Sequence, residues 1–576
     1  MSETTSPATA AGSSRGKGAG PANPEDEFLF LPLGGSGEIG MNFNLYGYGS
    51  DDDRQWIIVD LGVTFGDERT PGIDLIMGDP AFIEERRDEL LGIVLTHAHE
   101  DHIGAVAHIW PRLRCPVYAT PFTAHMVRGK LIEAGIEDEV PMHIIPLGHR
   151  FDLGPFDIEL VTLTHSILEP NALAIRTPLG LVLHTGDWKI DPDPVLGDDI
   201  DAARLTEIGD EGVLAIVCDS TNVFSPGVSG SEADVGRSLV ELFRTCKRRI
   251  AVTTFASNVA RLESIAKAAA ECGRHVVLVG RSMHRVVSAA REAGYLHDLP
   301  PFVNEEDAGY LPPESVLYLC TGSQGEPRAA LARIAENTHP NIVLEEGDTV
   351  VFSSRIIPGN DVSIFELQNL LSERGIRVVT EKDHFVHVSG HPCRDELAQM
   401  YQWIRPRVSI PVHGESRHLA EHAAFARELQ VPEQIVVKNG LMVRLAPNEA
   451  RVIDEAPAGR LYLDGDILVE AEEEALRMRR RLSFSGAVFV TLVIDGKNRI
   501  CGDPQVRLIG LPEEDNFGML LEDRALDAID DALDRLPAKR RGDDASVAEY
   551  VRRAVRGTLR REWGKKAQVE VLVTRI

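Results

Sequence analysis

Apolar residues run along this chain in short stretches cut by glycine, proline and charge, and their spacing changes character twice. FLFLPLG (28–34) and LLGIVL (90–95) read as strands, MNFNLYGYG (41–49) alternates like another, and QWIIVDLG (55–62) reads as a buried strand. CPVYAT (115–120), FDIELVTLTHS (156–166), NALAIRT (171–177), LVLHTGD (181–187) and GVLAIVCDST (212–221) extend the series, with short helices between them. From about residue 231 the texture alternates. EADVGRSLVELFRT predicts a helix, RIAVTTFAS a strand, NVARLESIAKAAAECG a helix and HVVLVG a strand, as in a parallel sheet with helices on its faces. Strand-like runs return in TVVFSS, IRVVTEKDHFVHVSGH and RVSIPVHGES, and HLAEHAAFARELQ follows as a helix. A Pro- and Glu-rich stretch leads into a charged helix, EAEEEALRMRRR. AVFVTLVID and AQVEVLVTRI, with helices between, predict a small α/β module at the end.

This pattern divides the chain, whose 576 residues are too many for one ordinary domain. Residues 1–24 are Ala, Gly, Ser, Thr and Pro with little to pack, so a disordered tail is expected there. A strand-rich domain in two parts, 25–222 and 382–450, is expected to enclose an α/β insert over 223–381. A linker over 451–482 and an α/β domain over 483–576 complete the division. GSGEIG (35–40) matches GxGxxG letter for letter, but a second strand follows it instead of a helix. It therefore reads as a glycine turn joining two strands.

Composition narrows the setting. No run approaches the ~18 apolar residues of a membrane span, and the N-terminal stretch lacks the apolar core of a secretory signal. A cytoplasmic protein with no membrane association is expected. Seven cysteines are scattered without a CxxC pair, against both a disulfide framework and a thiolate zinc site. With 60 basic and 89 acidic residues the net charge is −29, which by itself does not advertise nucleic-acid binding. Basic sequence is nonetheless concentrated between Lys539 and Lys566, in KRR, VRRAVR and LRREWGKK.

Candidate chemistry gathers in HAHEDH (97–102). His97 and His99, two apart at a strand end, point the same way, and Asp101 and His102 follow in the loop. Neutral imidazoles with a carboxylate suit zinc or manganese. A metal reading demands ligands at other strand ends, and His165 in LVTLTHS, Asp187 in LVLHTGD and His413 in SIPVHGE stand there. Together these residues are enough for two ions, with Asp187 available as a bridge. Two ions ~3.5–4 Å apart can activate water for in-line attack and stabilise the leaving oxygen. HLAEH (418–422) matches the inverted protease motif HxxEH, but no third ligand is suggested nearby and it reads as a solvated helix face. His125, His143, His149, His184, His284, His297 and His339 likewise suggest no partner.

These motifs resemble a known family. HAHEDH, His165 and Asp187, with Asp60 upstream, look like the motif series of the metallo-β-lactamase fold. DST (219–221), SGH (389–391) and PVHGE (411–415) resemble the three added motifs of its β-CASP nuclease branch. GGSGEIGMN, VCDSTN, FASN, CTGSQGEP, HVSGHP and IPVHGE together resemble the bacterial ribonuclease J family, from about residue 28 to the C-terminus.

The resemblance implies an α/β protein: a metallo-β-lactamase αββα sandwich, a β-CASP insert lying over its cleft, and a small α/β C-terminal domain that self-associates. It implies two zinc ions (Zn²⁺) per subunit, with Mn²⁺ or Mg²⁺ able to support activity. His97, His99 and His165 would hold one ion, Asp101, His102 and His413 the other, and Asp187 would lie between them. Asp60 would orient the ligands, Asp219 would handle a proton nearby, and His391 would face the scissile phosphate. Ser257 and Asn258 of FASN, with His387, Val388, Ser389, Gly390 and His391, would meet RNA phosphates, including a 5′-monophosphate end. The implied activity is hydrolysis of single-stranded RNA as a 5′→3′ exonuclease and an endonuclease, leaving 5′-phosphate and 3′-hydroxyl ends, in RNA maturation and decay. A homodimer or homotetramer and an RNA-degrading complex are the implied assemblies.

Three rivals share parts of the pattern. A small ester or thioester hydrolase accounts for HxHxDH but needs neither the insert nor SGH and PVHGE. A DNA-repair nuclease of the same branch typically carries an apolar residue where His413 stands. A noncatalytic scaffold has no use for all seven ligand positions.

Overall fold

The computed structural model describes residues 23–576 except 358, 538 and 539. The expected tail, 1–24, falls almost wholly outside the described residues. The chain divides into two compact units: residues up to Thr64 with Met77–Gly459, and Phe65–Ile76 with Arg460–Ile576.

The first unit contains the two-sheet sandwich expected from the strand pattern. An eight-stranded sheet includes Glu27–Gly34, Phe43–Gly49, Gln55–Leu61 and Leu90–Val94, and a seven-stranded sheet includes Phe156–Thr162, Asn171–Thr177, Gly180–His184, Val213–Asp219 and Val408–Val412. Alternate residues meet between them: Phe28, Phe30, Tyr46, Ile57 and Val59 from one side, Phe156, Ile158, Leu173, Ile175, Val217 and Ile410 from the other. Each such side chain contributes ~1.5–3 kcal/mol on burial. The outer face of the second sheet is covered by helices Ala202–Glu211, Arg394–Ile404 and Ser416–Glu428, through Leu205, Ile208, Leu397, Met400, Ile404, Phe425 and Ala426. Burial on both faces explains why the strands read as near-continuous apolar runs.

The insert is a five-stranded sheet in the order His275–Val279, Val316–Cys320, Ile250–Thr253, Thr349–Phe352, Arg377–Val379, with every neighbouring pair parallel. This matches the alternating pattern. The long strand-like run 376–391 does not persist, since only Arg377–Val379 pairs and the segment beyond it is loop. GSGEIG is indeed a turn between strands, and Ser36–Gly37 pairs with Gly414–Glu415.

The second unit has a three-stranded sheet, Gln505–Ile509, Ala487–Ile494 and Gln568–Arg575, with helices Leu521–Arg535 and Asp544–Trp563 on one face. Val488, Val490, Leu492 and Ile494 pack against Ile529, Val551, Val555 and Leu559, which is the period-two burial the sequence predicts. The span 451–482, expected as a linker, carries strands Arg451–Glu455, Arg460–Asp464 and Ile467–Glu470 before helix Glu474–Ser485.

Candidate metal centre

Six strands of the sandwich deliver the candidate residues at or just beyond their C-terminal ends. Asp60 lies on Gln55–Leu61, His97 follows Leu90–Val94, His165 follows Phe156–Thr162, Asp187 follows Gly180–His184, Asp219 ends Val213–Asp219, and His413 follows Val408–Val412. Glycine permits the loops to close up. A Cβ at Gly62 would stand 1.7 Å from Asp101 O. The same approach lets Gly62 N–H donate to Asn42 O and Asn42 N–H to Asp101 O, each at 2.9 Å. Asp60 and His413 both adopt left-handed backbone, φ 63° and 51°. Strain of that kind, ~1–3 kcal/mol per residue, persists where the surroundings over-determine the conformation.

The side chains converge on one carboxylate oxygen. Asp187 Oδ2 lies 3.3 Å from Nε2 of His102 and of His413, and 3.9 Å from Nε2 of His97 and of His165. His99 Nδ1 stands 3.1 Å from Nε2 of both His97 and His165. Asp101 Oδ2 is 3.6 Å from His102 Nε2 and from His413 Nε2. Among the described residues three overlapping sets of donors result, His97, His99, His165 with Asp187, Asp101, His102, His413 with Asp187, and Asp219, His391, His413 with Asp187, each with its ligand atoms within 4.8 Å of one another; the first two share only Asp187.

The far nitrogens are held separately. His97 Nδ1 meets Thr96 Oγ1 at 3.0 Å, His102 Nδ1 meets Asp60 Oδ2 at 2.7 Å, and His165 Nδ1 donates to Gly390 O. The Asn42 amide stands 3.0 Å from His413 Nδ1, its far nitrogen, and also 3.0 Å from the inward Nε2 of His102. Outer partners of this type fix the tautomer and ring direction of a metal-binding histidine.

Electrostatics agree with a cation site. Burial and the neighbouring histidines drive His97 and His165 well below the ordinary imidazole range, and burial takes His99 down to about 4. These rings are therefore neutral, with lone pairs to offer. Burial opposes charge on His102, yet Asp187, Asp101 and Asp60 outweigh it and raise the group well above its usual range. Those carboxylates attract a positive charge to the place where a divalent ion fits. Asp187 Oδ1 is buried without a hydrogen-bond partner among the described residues, an acceptor that a cation would satisfy. The donors present thus fit a metal ion.

At the rim, His391 Nδ1 meets Asp219 Oδ2 at 2.8 Å and lies 3.9 Å from Asp187 Oδ2. Burial pulls this imidazole down, but Asp219, reinforced by Asp187 and Asp101, raises it to about 9.

Comparison with known proteins accords with this geometry. Family models described as beta-lactamase superfamily domain, ribonuclease J beta-CASP domain, Zn-dependent metallo-hydrolase RNA specificity domain and ribonuclease J C-terminal domain match residues 56–206, 247–371, 375–436 and 474–576. Ribonuclease J of Sinorhizobium meliloti is 50% identical over 552 residues, covering 96% of this chain and 98% of that protein. The chain belongs to the ribonuclease J family. Ribonuclease J of Mycolicibacterium smegmatis is 39% identical over 530 residues, 91% of this chain and 93% of that protein. That of Corynebacterium glutamicum is 36% identical over 560 residues, 95% and 76% of the two chains.

The residues expected to meet phosphate in this chain differ in what they can offer. Asn258 caps helix Val259–Glu271, accepting from Arg261 N–H, and its amide donates to Glu232, so its side chain is already engaged. Ser257 is half-buried beside it. Val388 is buried. Ser389 Oγ accepts from Asn222 Nδ2 and His391 N–H, bracing the loop. At Gly390 a Cβ would stand 2.6 Å from Ser166 Oγ and 2.9 Å from His165 Cε1, so the loop reaches His165 only as glycine. Burial, with Arg261, Arg355 and Lys189 nearby, keeps His387 neutral.

Sequence reasoning missed Asn42, Thr96, Arg261 and Asn222, although Asn42 and Asn222 end the quoted GGSGEIGMN and VCDSTN and Thr96 directly precedes HAHEDH. Arg261 is fully buried, ion-paired with Glu232 and bonded to Ser353 and Val386 O, tying the FASN helix to the 387–391 loop. HLAEH requires correction: it is not a solvated face, because His418 and His422 are both buried. His422 falls on the same inward stripe as Leu419, Ala423 and Ala426, and that spacing was readable. His184, left without a partner, meets Tyr46 Oη at 3.0 Å.

Proposed function

We propose that this chain, a metal-dependent ribonuclease by family, hydrolyses RNA phosphodiesters with two metal ions. It acts as a 5′→3′ exonuclease favouring 5′-monophosphate ends and as an endonuclease on unstructured RNA, in cytoplasmic RNA maturation and decay. The observation that carries the reading is the position of Asp187 Oδ2, within 3.9 Å of imidazole nitrogens from two separate donor sets. His97, His99 and His165 would hold one ion and Asp101, His102 and His413 the other, with Asp187 common to both. When bound, zinc in these sites, or manganese or magnesium in its place, activates water at neutral pH and neutralises charge on the phosphoryl oxygens.

The protein's own contribution is orientation and proton handling. Asp60 and Asn42 hold His102 and His413 with their ligand nitrogens inward. Asp219 holds His391 by Nδ1 and favours its protonated form, leaving Nε2–H to donate to the departing 3′-oxygen. That proton transfer yields 5′-phosphate and 3′-hydroxyl ends. A 5′-monophosphate is met by Ser257, His387, the Ser389 hydroxyl and the main chain of 388–390, with Asn258 shaping the segment from behind. The exposed sheet face carrying Phe489, Ile509 and Leu572 in the second unit supports self-association as a homodimer or homotetramer.

The test is one RNA carrying either a 5′-monophosphate or a 5′-triphosphate, with and without Mn²⁺, alongside His97→Ala. Metal-dependent release of mononucleotides, faster from the monophosphate and lost in the variant, is expected. A metal-loaded protein that leaves both RNAs whole but hydrolyses a small thioester overturns the reading.

A further inference from the structure

The three consecutive side chains of Asp219-Ser220-Thr221 each reach a different histidine. Asp219 Oδ2 meets His391 Nδ1 at 2.8 Å, Ser220 Oγ meets His422 Nδ1 at 2.8 Å, and Thr221 Oγ1 donates to the main-chain carbonyl of His413 at 3.2 Å. The first and third belong to the centre described above. The second leads away from it. His422 has no exposed surface, and its Nε2 meets Tyr401 Oη at 3.0 Å, whose other neighbour is Ser409 Oγ at 2.6 Å. Burial takes His422 down to about 4, so the ring is neutral and has one donor and one acceptor, matching the two hydroxyls it touches.

The ring sits where three elements meet. Tyr401 lies on helix Arg394–Ile404, which starts just past His391, and His422 on helix Ser416–Glu428, which starts just past His413. Ser220 follows the strand Val213–Asp219, and Ser409 is on its neighbour Val408–Val412. We propose that His422 is a positioning residue for the reaction: through Ser220 it fixes the main chain from which Asp219 aims His391. The proposal rests on the reading of Asp219 and His391 given above. A leucine of similar size would fill the space but hold neither hydroxyl, leaving Ser220 only its long 3.4 Å bond to Cys218 O and loosening the 219–221 main chain.

The full chain is assayed on 5′-monophosphate RNA for kcat, KM, bound metal and thermal midpoint, as native protein, His422→Leu, His422→Asn and Ser220→Ala. His422→Leu and Ser220→Ala are expected to lower kcat by on the order of tenfold to a hundredfold, the usual cost of misplacing a reacting group, with KM and metal content unchanged. His422→Asn, whose amide falls where Nδ1 stood, should recover most of that loss, which a purely space-filling role would not produce. In an Asp219→Asn background His422→Leu or Ser220→Ala should add no further loss, as for residues acting as one unit. Native-like kcat in the single variants, loss of bound metal, or additive losses overturn the proposal. Should His422→Leu fail to fold, Ser220→Ala, which removes one hydroxyl, carries the same comparisons. A fully active Asp219→Asn protein overturns instead the reading on which the proposal rests.

Discussion

Replacing Asp60 by asparagine probes how the two donor sets are braced. Asp60 is fully buried and accepts three hydrogen bonds: from Thr96 N–H at 2.8 Å, from Thr96 Oγ1 at 2.8 Å and from His102 Nδ1 at 2.7 Å. In Asp60→Asn either orientation of the amide leaves an N–H facing a donor. Losing a charge-assisted bond of this kind costs ~1.5–3 kcal/mol. The proton on His102 Nδ1, which keeps the Nε2 lone pair turned toward Asp101 and Asp187, loses its acceptor. Removing an outer partner of a metal ligand typically weakens binding by ~10–100-fold, or ~1.4–2.7 kcal/mol, so the two estimates agree. Thr96 Oγ1 also touches His97 Nδ1 at 3.0 Å, so the other donor set is disturbed only at one remove. Competition with a zinc chelator, resolving both binding steps, should show one step weakened ~10–100-fold and the other by less than about tenfold, with kcat reduced in parallel. Two native-like steps, or equal weakening of both, would refute the assignment of His102 as the residue Asp60 serves directly.

Gly62→Ala places a methyl against Asp101 O and should abolish activity, with a stability loss above the ~1–3 kcal/mol of ordinary overpacking, measured by thermal denaturation. His391→Ala should lower kcat by ~10²–10⁴-fold while bound zinc, measured by elemental analysis, stays at the native level. Chelation should lower the thermal midpoint of the native protein, reflecting a stability loss of up to ~2.7 kcal/mol per ion for ions present at a hundred times Kd. Asp187→Asn protein should show little of that response.

The strands and the principal histidines were legible because each is encoded locally. HAHEDH sits behind an apolar run, and His165, Asp187 and His413 end runs of the same kind, so strand ends alone brought them to one rim. The second partners of the histidines were not legible. His165 Nδ1 is held by a carbonyl 225 residues away, and Asn42 reaches a histidine 371 residues away, pairings that depend on how the two separated parts of the sandwich close on each other. The strand-like run 376–391 misled for a related reason: its alternation reflects Val386 and Val388 packing singly into the core from a loop, with no ladder beside them. His422 failed differently, since charged neighbours on the same helix masked a polar residue on the inward stripe.

Val213–Asp219 and Val408–Val412 are adjacent parallel strands, and Thr221 and His413, 192 residues apart, are hydrogen bonded across their ends. Until the later strand is synthesised, the earlier one is an open edge with unpaired backbone groups. The whole inserted sheet emerges from the ribosome in that interval, and only then does the last histidine take its place. Until then the nascent chain is short of Val408–Val412 in one sheet and of Leu441–Ala446 and Arg451–Glu455 in the other, so the candidate centre is completed only as the last strands of both sheets are laid down.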